Sequence, residues 1–237
     1  MSPVLRHRWL RQMSLPWGVQ MTHGSRRLSF DWVQGILQLP STTTWKQLWN
    51  FLVLTGYCKI WIPNYVLIFQ PLYENLKGWD DSIRLMWGTP QKKAGATLKQ
   101  ALTQGPTLRL PDPEKAFQLY VHEREGIALG LLTQRLGCEP QPVAYLSKRL
   151  NPTARGWLPC LRNHAGIAVL TEDALKLSFG GKLTIFTNHQ VKQLLNGRGH
   201  LWIYDQRTLR YQAMLMENPG LTISPWGSWP SYPPAYP

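Results

Sequence analysis

FQLYVHER at 117–124, IALGLLTQRL at 127–136, PVAYLSKRL at 142–150, CLRNHAGIAVLTEDALKL at 160–177 and KLTIFT at 182–187 decide the fold. In the first segment Phe117, Leu119 and Val121 alternate with Gln118, Tyr120 and His122, the two-residue period of a half-buried strand. Gly126 turns the chain, and the next two segments continue as further strands of a meander. The period then lengthens. Residues 152–179 contain a long helix, with Leu161, Ile167, Leu170 and Leu175 as its core face and Gly180-Gly181 closing it. KLTIFT is a fourth strand. Beyond it, QVKQLLNG and TLRYQAMLMEN read as helices and LTIS as a last strand. Strands and helices mixed in this order imply an α/β domain.

Upstream the pattern is helical. Ser41–Thr44 supply capping hydroxyls, and Trp45, Leu48, Trp49, Leu52 and Val53 follow as one apolar stripe up to Gly56. A second helix spans about 64–77 with Val66, Phe69, Leu72, Tyr73 and Leu76 inward, kinked or split by Pro71. A third starts at Thr89-Pro90, runs through Ala94, Leu98, Ala101 and Leu102, and stops at Gly105-Pro106. These give a helical bundle over 41–106. Residues 1–40 show no sustained periodicity and read as poorly structured, apart from a short element near Trp32–Leu37. From Pro225 the chain reads PWGSWPSYPPAYP, a proline-rich tail over 225–237 that cannot propagate helix or sheet.

Composition narrows the classes of function. The 237 residues carry a formal net charge of +13, dispersed along the chain, which favours a polyanionic partner. Cys58, Cys138 and Cys160 are widely spaced, form no CxxC pair, and suggest neither a disulfide framework nor a zinc site. A reduced, intracellular setting, cytoplasmic or nuclear, is the default. No run of about eighteen apolar residues occurs, so no membrane span and no membrane partner is expected. Arg6, Arg8, Arg11, Arg26 and Arg27 without an acid mimic a transit peptide, but Pro3, Pro16, Gly18 and Gly24 interrupt the amphipathic helix one requires.

Several separate segments carry a resemblance in one order: LQLPSTTTWKQLWNFLVLTGYCKIWIPNY, QPLYENLKG, AGATLKQALTQGPTLRLPDPEK, FQLYVHEREGIALGLLTQRLG, QPVAYLSKRLNPTARGW and LPCLRNHAGIAVLTEDALKL. Together, over about 33–224, they resemble the reverse transcriptase of gammaretrovirus-type Pol polyproteins in their endogenous form. The resemblance implies that 41–106 is a thumb-like bundle and 107–224 a connection domain with an RNase H-like mixed sheet. The ends, 1–32 and 225–237, do not resemble that family. It also implies a missing polymerase palm, with its paired aspartates, and a missing active RNase H domain. The nearest acidic pair, Asp80-Asp81, falls between two thumb-like helices, where a surface turn is the natural reading.

Two-metal hydrolysis needs carboxylates that hold both ions against a phosphate. At the points where active RNase H-like domains place them, this chain reads His122, Ala165 and Asn188. Alanine cannot ligate, asparagine is a weak neutral donor, and histidine favours softer metals than Mg²⁺. Glu123 points to the opposite strand face from His122, and Glu125 sits in the turn. His164 and Cys160 share a helix face four residues apart, but no third ligand accompanies them. No catalytic residue, metal or cofactor is therefore expected.

The binding side is stronger. Lys92, Ala96, Lys99 and Thr103 fall on one helix face, with small residues between the lysines, a face that can contact phosphates without reading sequence. Arg124, Lys148, Arg149 and Arg155 form a second basic group. Trp45, Trp49 and Trp61 read as bundle core. The expected partner is an RNA–DNA hybrid or DNA duplex, bound weakly and without sequence preference. Three alternatives remain: a residual RNase H-type nuclease, a module docking on intact reverse transcriptase, and a non-functional relic, the last suggested by Gly95 inside a helix and by Trp202-Ile203-Tyr204 in a loop.

Overall fold

The computed structural model describes residues 13–15, 18–39, 43–76, 85, 87–187 and 206–225. Two compact units divide the chain between Leu110 and Pro111. The first carries β1 (Met13–Leu15), β2 (Val19–Thr22), β3 (Ser25–Leu28), α1 (Phe30–Leu37), α2 (Trp45–Tyr57), a short 3-10 turn (Lys59–Trp61), α3 (Tyr65–Leu76), α4 (Thr89–Thr103) and β4 (Leu108–Arg109). The second carries β5 (Phe117–Arg124), β6 (Ile127–Leu136), β7 (Glu139–Arg149), α5 (Pro152–Arg155), α6 (Pro159–Leu177), β8 (Leu183–Thr187), α7 (Gln206–Glu217) and β9 (Leu221–Pro225).

In the first unit Leu48, Leu72 and Leu98 are fully buried, one from each of α2, α3 and α4. Thr44 and Gln47 make a reciprocal capping box that starts α2. The buried arc of α2 is centred on Leu48, Leu52 and Thr55, with Phe51 inside it. Trp49 and Val53, expected in the stripe, rotate off its edge and are exposed. Trp45 and Trp61 are core as expected. Pro71 lies inside α3 without splitting it, and Tyr73, expected inward, is exposed and stacks on Phe69. Gly88, not Thr89, is the N-cap of α4, which places Pro90 in the first turn. Gly95 has a packing reason for being glycine, because a Cβ there would come within 3.1 Å of the Trp87 ring.

Residues before 41 hold more structure than their pattern shows. The expected short element is α1, capped by Ser29, whose hydroxyl accepts from the Trp32 amide. Ahead of it, β1, β2 and β3 join β4 in an antiparallel sheet of that order. Strands of three or four residues are too short for alternation to register, and β3 carries Arg26 and Arg27. Because β4 pairs with β3, the unit boundary falls after residue 110 and not at 106.

The second unit is a five-stranded mixed sheet of order β7-β6-β5-β8-β9. The meander β5–β6–β7 is antiparallel, and β8 and β9 run parallel to β5. Parallel neighbours need crossovers, and α6 lies in the one from β5–β7 to β8, as the sequence implies. The long helical stretch is interrupted: α5 ends at Gly156, and Pro159 opens α6. Pro142 in β7 sits where the register shifts against Leu132 and Thr133, a place that tolerates a missing N–H. The expected helix QVKQLLNG, Asp80-Asp81, Trp202-Ile203-Tyr204 and residues 226–237 of the tail lie outside the described residues, while Pro225, expected in the tail, ends β9.

Candidate nucleic-acid interface

Burial along β5 alternates strictly, with Phe117, Leu119, Val121 and Glu123 inward. That parity faces α6: a Cβ on Gly166 would meet Ala128 Cβ at 3.3 Å and Glu123 Cβ at 3.9 Å. Glu123, therefore, is the β5 side chain beside α6, while His122 projects from the other face. His122 and Ala165, two of the three positions compared with metal-binding acids, do not face each other. Asn188 lies outside the described residues. Ala165 is fully buried.

A glutamate at an inward position must find partners. Glu123 Oε1 accepts from the Gly126 amide at 2.7 Å and stands 3.3 Å from Arg162 Nε, and its side chain is only 4% exposed. Arg162 was not singled out from sequence. The sequence signalled only the need for a partner, through one acid at an inward strand position; that Arg162 supplies it follows from the packing of α6 on β5. A pair of metal ions does not fit these donors. The one carboxylate is already held by a backbone N–H and a guanidinium, beside an alanine and a glycine. Among the described residues no group of three His, Cys, Asp or Glu could hold a metal ion.

The turn joining β5 to β6 organises the basic group. Glu125 and Gly126 have φ of 55° and 76°, the two positive values of a tight hairpin turn. The stem of Arg155 packs on Gly126 so closely that a Cβ there would lie 2.7 Å from Arg155 Cγ. Arg149 stands opposite Ile127, which pairs in turn with Arg124. Leu150 donates its amide to the Gly126 carbonyl at 2.9 Å. Arg124 and Arg149 thus share the sheet face away from α6, Arg155 packs at the turn itself, and Arg162 reaches Glu123 from α6 on the other face. Lys148, on the α6 face, is instead bound to Asp173 at 3.2 Å.

On α4 the four expected residues divide. Lys92 and Ala96 are exposed. The Lys99 ammonium donates to the Leu37 carbonyl at 3.1 Å and the Leu39 carbonyl at 2.9 Å, neutralising the C-terminal end of α1. The Thr103 hydroxyl donates to Gln100 O at 2.6 Å within its own helix. Of the two lysines on that face, Lys92 is exposed and Lys99 is held by backbone carbonyls.

His164 is buried on α6, its Nε2 has no hydrogen-bond partner, and burial pulls its pKa down to about 4. His189 lies outside the described residues. No helix among the described residues is long and apolar enough to cross a membrane.

Residues 87–185 match the RNase H-like domain found in reverse transcriptase. The chain is 45% identical over 202 residues to the Gag-Pol polyprotein of avian reticuloendotheliosis virus, covering 85% of this chain and 17% of the polyprotein. It is 40% identical over 200 residues to that of feline leukemia virus, covering 84% of this chain and 12% of the polyprotein. It is 38% identical over 208 residues to that of baboon endogenous virus, covering 88% of this chain and 12% of the polyprotein. The chain thus spans 17% or less of the length of these curated relatives. In fold it is similar to the foamy viral protease-reverse transcriptase, in a complex with dsDNA (TM-score 0.79, 17% identity, 92% of this chain, 38% of that one). It is likewise similar to a complex of that protein with RNA/DNA hybrid (TM-score 0.80, 18% identity, 93% of this chain, 30% of that one). The chain belongs to the family of the gammaretroviral Gag-Pol polyproteins, and its residues 87–185 match their RNase H-like reverse transcriptase domain.

Proposed function

We propose that this chain is a non-catalytic thumb and connection segment of a reverse transcriptase that holds RNA–DNA hybrid or DNA duplex by its backbone. The observation that carries the reading is the arginine group around the β5–β6 turn, in a chain of net charge +13. Arginines that contact phosphate oxygens hold a duplex in place without reading its bases. The foamy viral relatives, solved with dsDNA and with RNA/DNA hybrid, support the same ligand class. The non-catalytic half of the reading rests on Glu123, whose carboxylate is consumed by Gly126 and Arg162.

Two measurements test it. Anisotropy titration with labelled hybrid across a range of salt should give affinity that falls steeply, because each neutralised phosphate adds about 0.9 to the logarithmic slope. A flat response removes the binding reading. Incubating the protein with labelled RNA–DNA hybrid and Mg²⁺ or Mn²⁺ should leave the RNA intact, and cleavage abolished by a Glu123 substitution removes the non-catalytic one.

A further inference from the structure

β9 is an edge strand of the five-stranded sheet, and its last residue, Pro225, is exposed opposite Thr187 at the final rung. A proline has no N–H to carry a ladder further. The sheet stops where a different kind of sequence begins. Residues 226–237 read WGSWPSYPPAYP, with proline at 230, 233, 234 and 237. Proline at that density suits neither helix nor sheet, and the regular conformation open to it is polyproline II. The composition is not that of a solvating linker either, which is rich in charge and poor in aromatics. This stretch has no Lys, Arg, Asp or Glu, in a chain with 26 Lys and Arg, and it carries Trp226, Trp229, Tyr232 and Tyr236. Such side chains gain by leaving water, and a proline-rich segment achieves that in the groove of a partner.

Spacing within the stretch narrows the partner. Polyproline II repeats every three residues, so side chains at i and i+3 share an edge. By that count Trp226, Trp229 and Tyr232 fall on one edge, and Pro230, Pro233 and Tyr236 on a second. Pro233-Pro234-Ala235-Tyr236 is then a proline pair with a tyrosine one turn further along. A proline ridge fits between exposed aromatic side chains, and the tyrosine asks for an adjoining apolar pocket whose rim can bond its hydroxyl. No Lys or Arg lies in or beside the PxxP runs 230–233 and 234–237, so an acidic pocket in a partner would find nothing to pair with. We propose that Pro233-Pro234-Ala235-Tyr236 is a docking motif for a small aromatic-clamp domain of the WW class. Pro233 and Pro234 form the gripped ridge, and Tyr236 supplies the specificity. This site uses none of the residues assigned to duplex binding.

The test is a calorimetric titration of the full chain with an isolated WW domain selective for Pro-Pro-x-Tyr, beside an SH3 domain. The wild-type chain should bind the WW domain saturably and the SH3 domain far more weakly. P234A and Y236A should each weaken WW binding by about tenfold or more, as loss of a central anchor does. W226A, about three polyproline turns from Tyr236, should change it by less than about twofold. Because the motif is uncharged, its affinity should shift by less than about twofold between low and high salt, whereas duplex binding falls steeply. All three variants should keep the wild-type melting temperature and the wild-type salt slope for hybrid, which separates a lost motif from a lost fold. Absence of WW binding, binding that survives both P234A and Y236A, or an equal grip on the SH3 domain overturns the motif. Each of those results leaves the duplex reading standing, and a flat salt response for hybrid removes the duplex reading without touching this one.

Discussion

The α4 face and the turn end of the five-stranded sheet both place cations at neighbouring positions, yet they leave them in opposite states. On α4 the central lysine is turned into the fold, where it closes the end of α1. At the β5–β6 turn the central acid is turned into the fold instead, and Arg149 and Arg155 have no carboxylate partner among the described residues. A helix face has neighbours of its own, and a long lysine reaches whatever unsatisfied carbonyls lie nearest. A sheet end has no further rung to take up its side chains. Position on a face tells which residues are neighbours. The groups opposite that face decide what the charges are for.

The two units should separate most clearly with pH. His164 binds its proton at about pH 4 when folded against an ordinary 6.5, because burial disfavours the charged ring. Between those values the unfolded chain carries a proton that the folded one does not, so the second unit loses stability as pH falls from 6.5 to 4. At about 1.4 kcal/mol per unit the loss approaches roughly 3 kcal/mol. In the first unit Cys58 is pushed up to about 11 from 9.0 by burial. There the unfolded chain gives up its proton first, and stability falls as pH rises from 9 to 11. Hydrogen exchange followed over 45–103 and 117–187 should show acid loosening in the second segment and alkaline loosening in the first. H164L should flatten the acid limb, and an acid limb that survives it assigns the effect elsewhere.

Next in size is Gly126→Val. A branched side chain at φ of 76° is strained whatever surrounds it, and this one would also strike the Arg155 stem. The cost should be about 2–3 kcal/mol by thermal or denaturant unfolding. Gly137 provides the control: it too has positive φ, 64°, but open space around it, so Gly137→Val should cost less by the packing part alone. Equal costs at both positions would mean that Arg155 does not rest on the turn.

Much of this was legible in advance. The strand order from Phe117 to Thr187 follows from a two-residue period that gives way to a helical one, since burial on one face imposes that period on the residues. The inward glutamate was also visible, but its partner was not. Arg162 reaches Glu123 across a helix–strand packing that no spacing along the chain encodes. The strands before residue 29 were illegible for another reason. They are short, and the sheet they form is completed by β3 pairing with Leu108 and Arg109, some eighty residues away. Lys99 and Lys92 look alike in sequence, because both lie on one α4 face, and only the position of α1 distinguishes them.

That distinction yields the smallest effects and the sharpest comparison. Lys99→Ala removes two hydrogen bonds to the end of α1 and should cost about 1–2 kcal/mol of stability in the first unit. Its effect on the salt slope of duplex binding should be negligible, because the ammonium is already held by carbonyls. Lys92→Ala should do the reverse. An exposed helix lysine replaced by alanine changes stability by no more than about 0.5 kcal/mol. If its ammonium meets a phosphate, the slope should fall by about 0.9. Measuring melting temperature and salt slope on both variants gives four numbers that must cross. Should Lys99→Ala instead lower the slope while leaving stability intact, the ammonium leaves the α1 carbonyls for the duplex, and the contrast between the two regions fails at its first member.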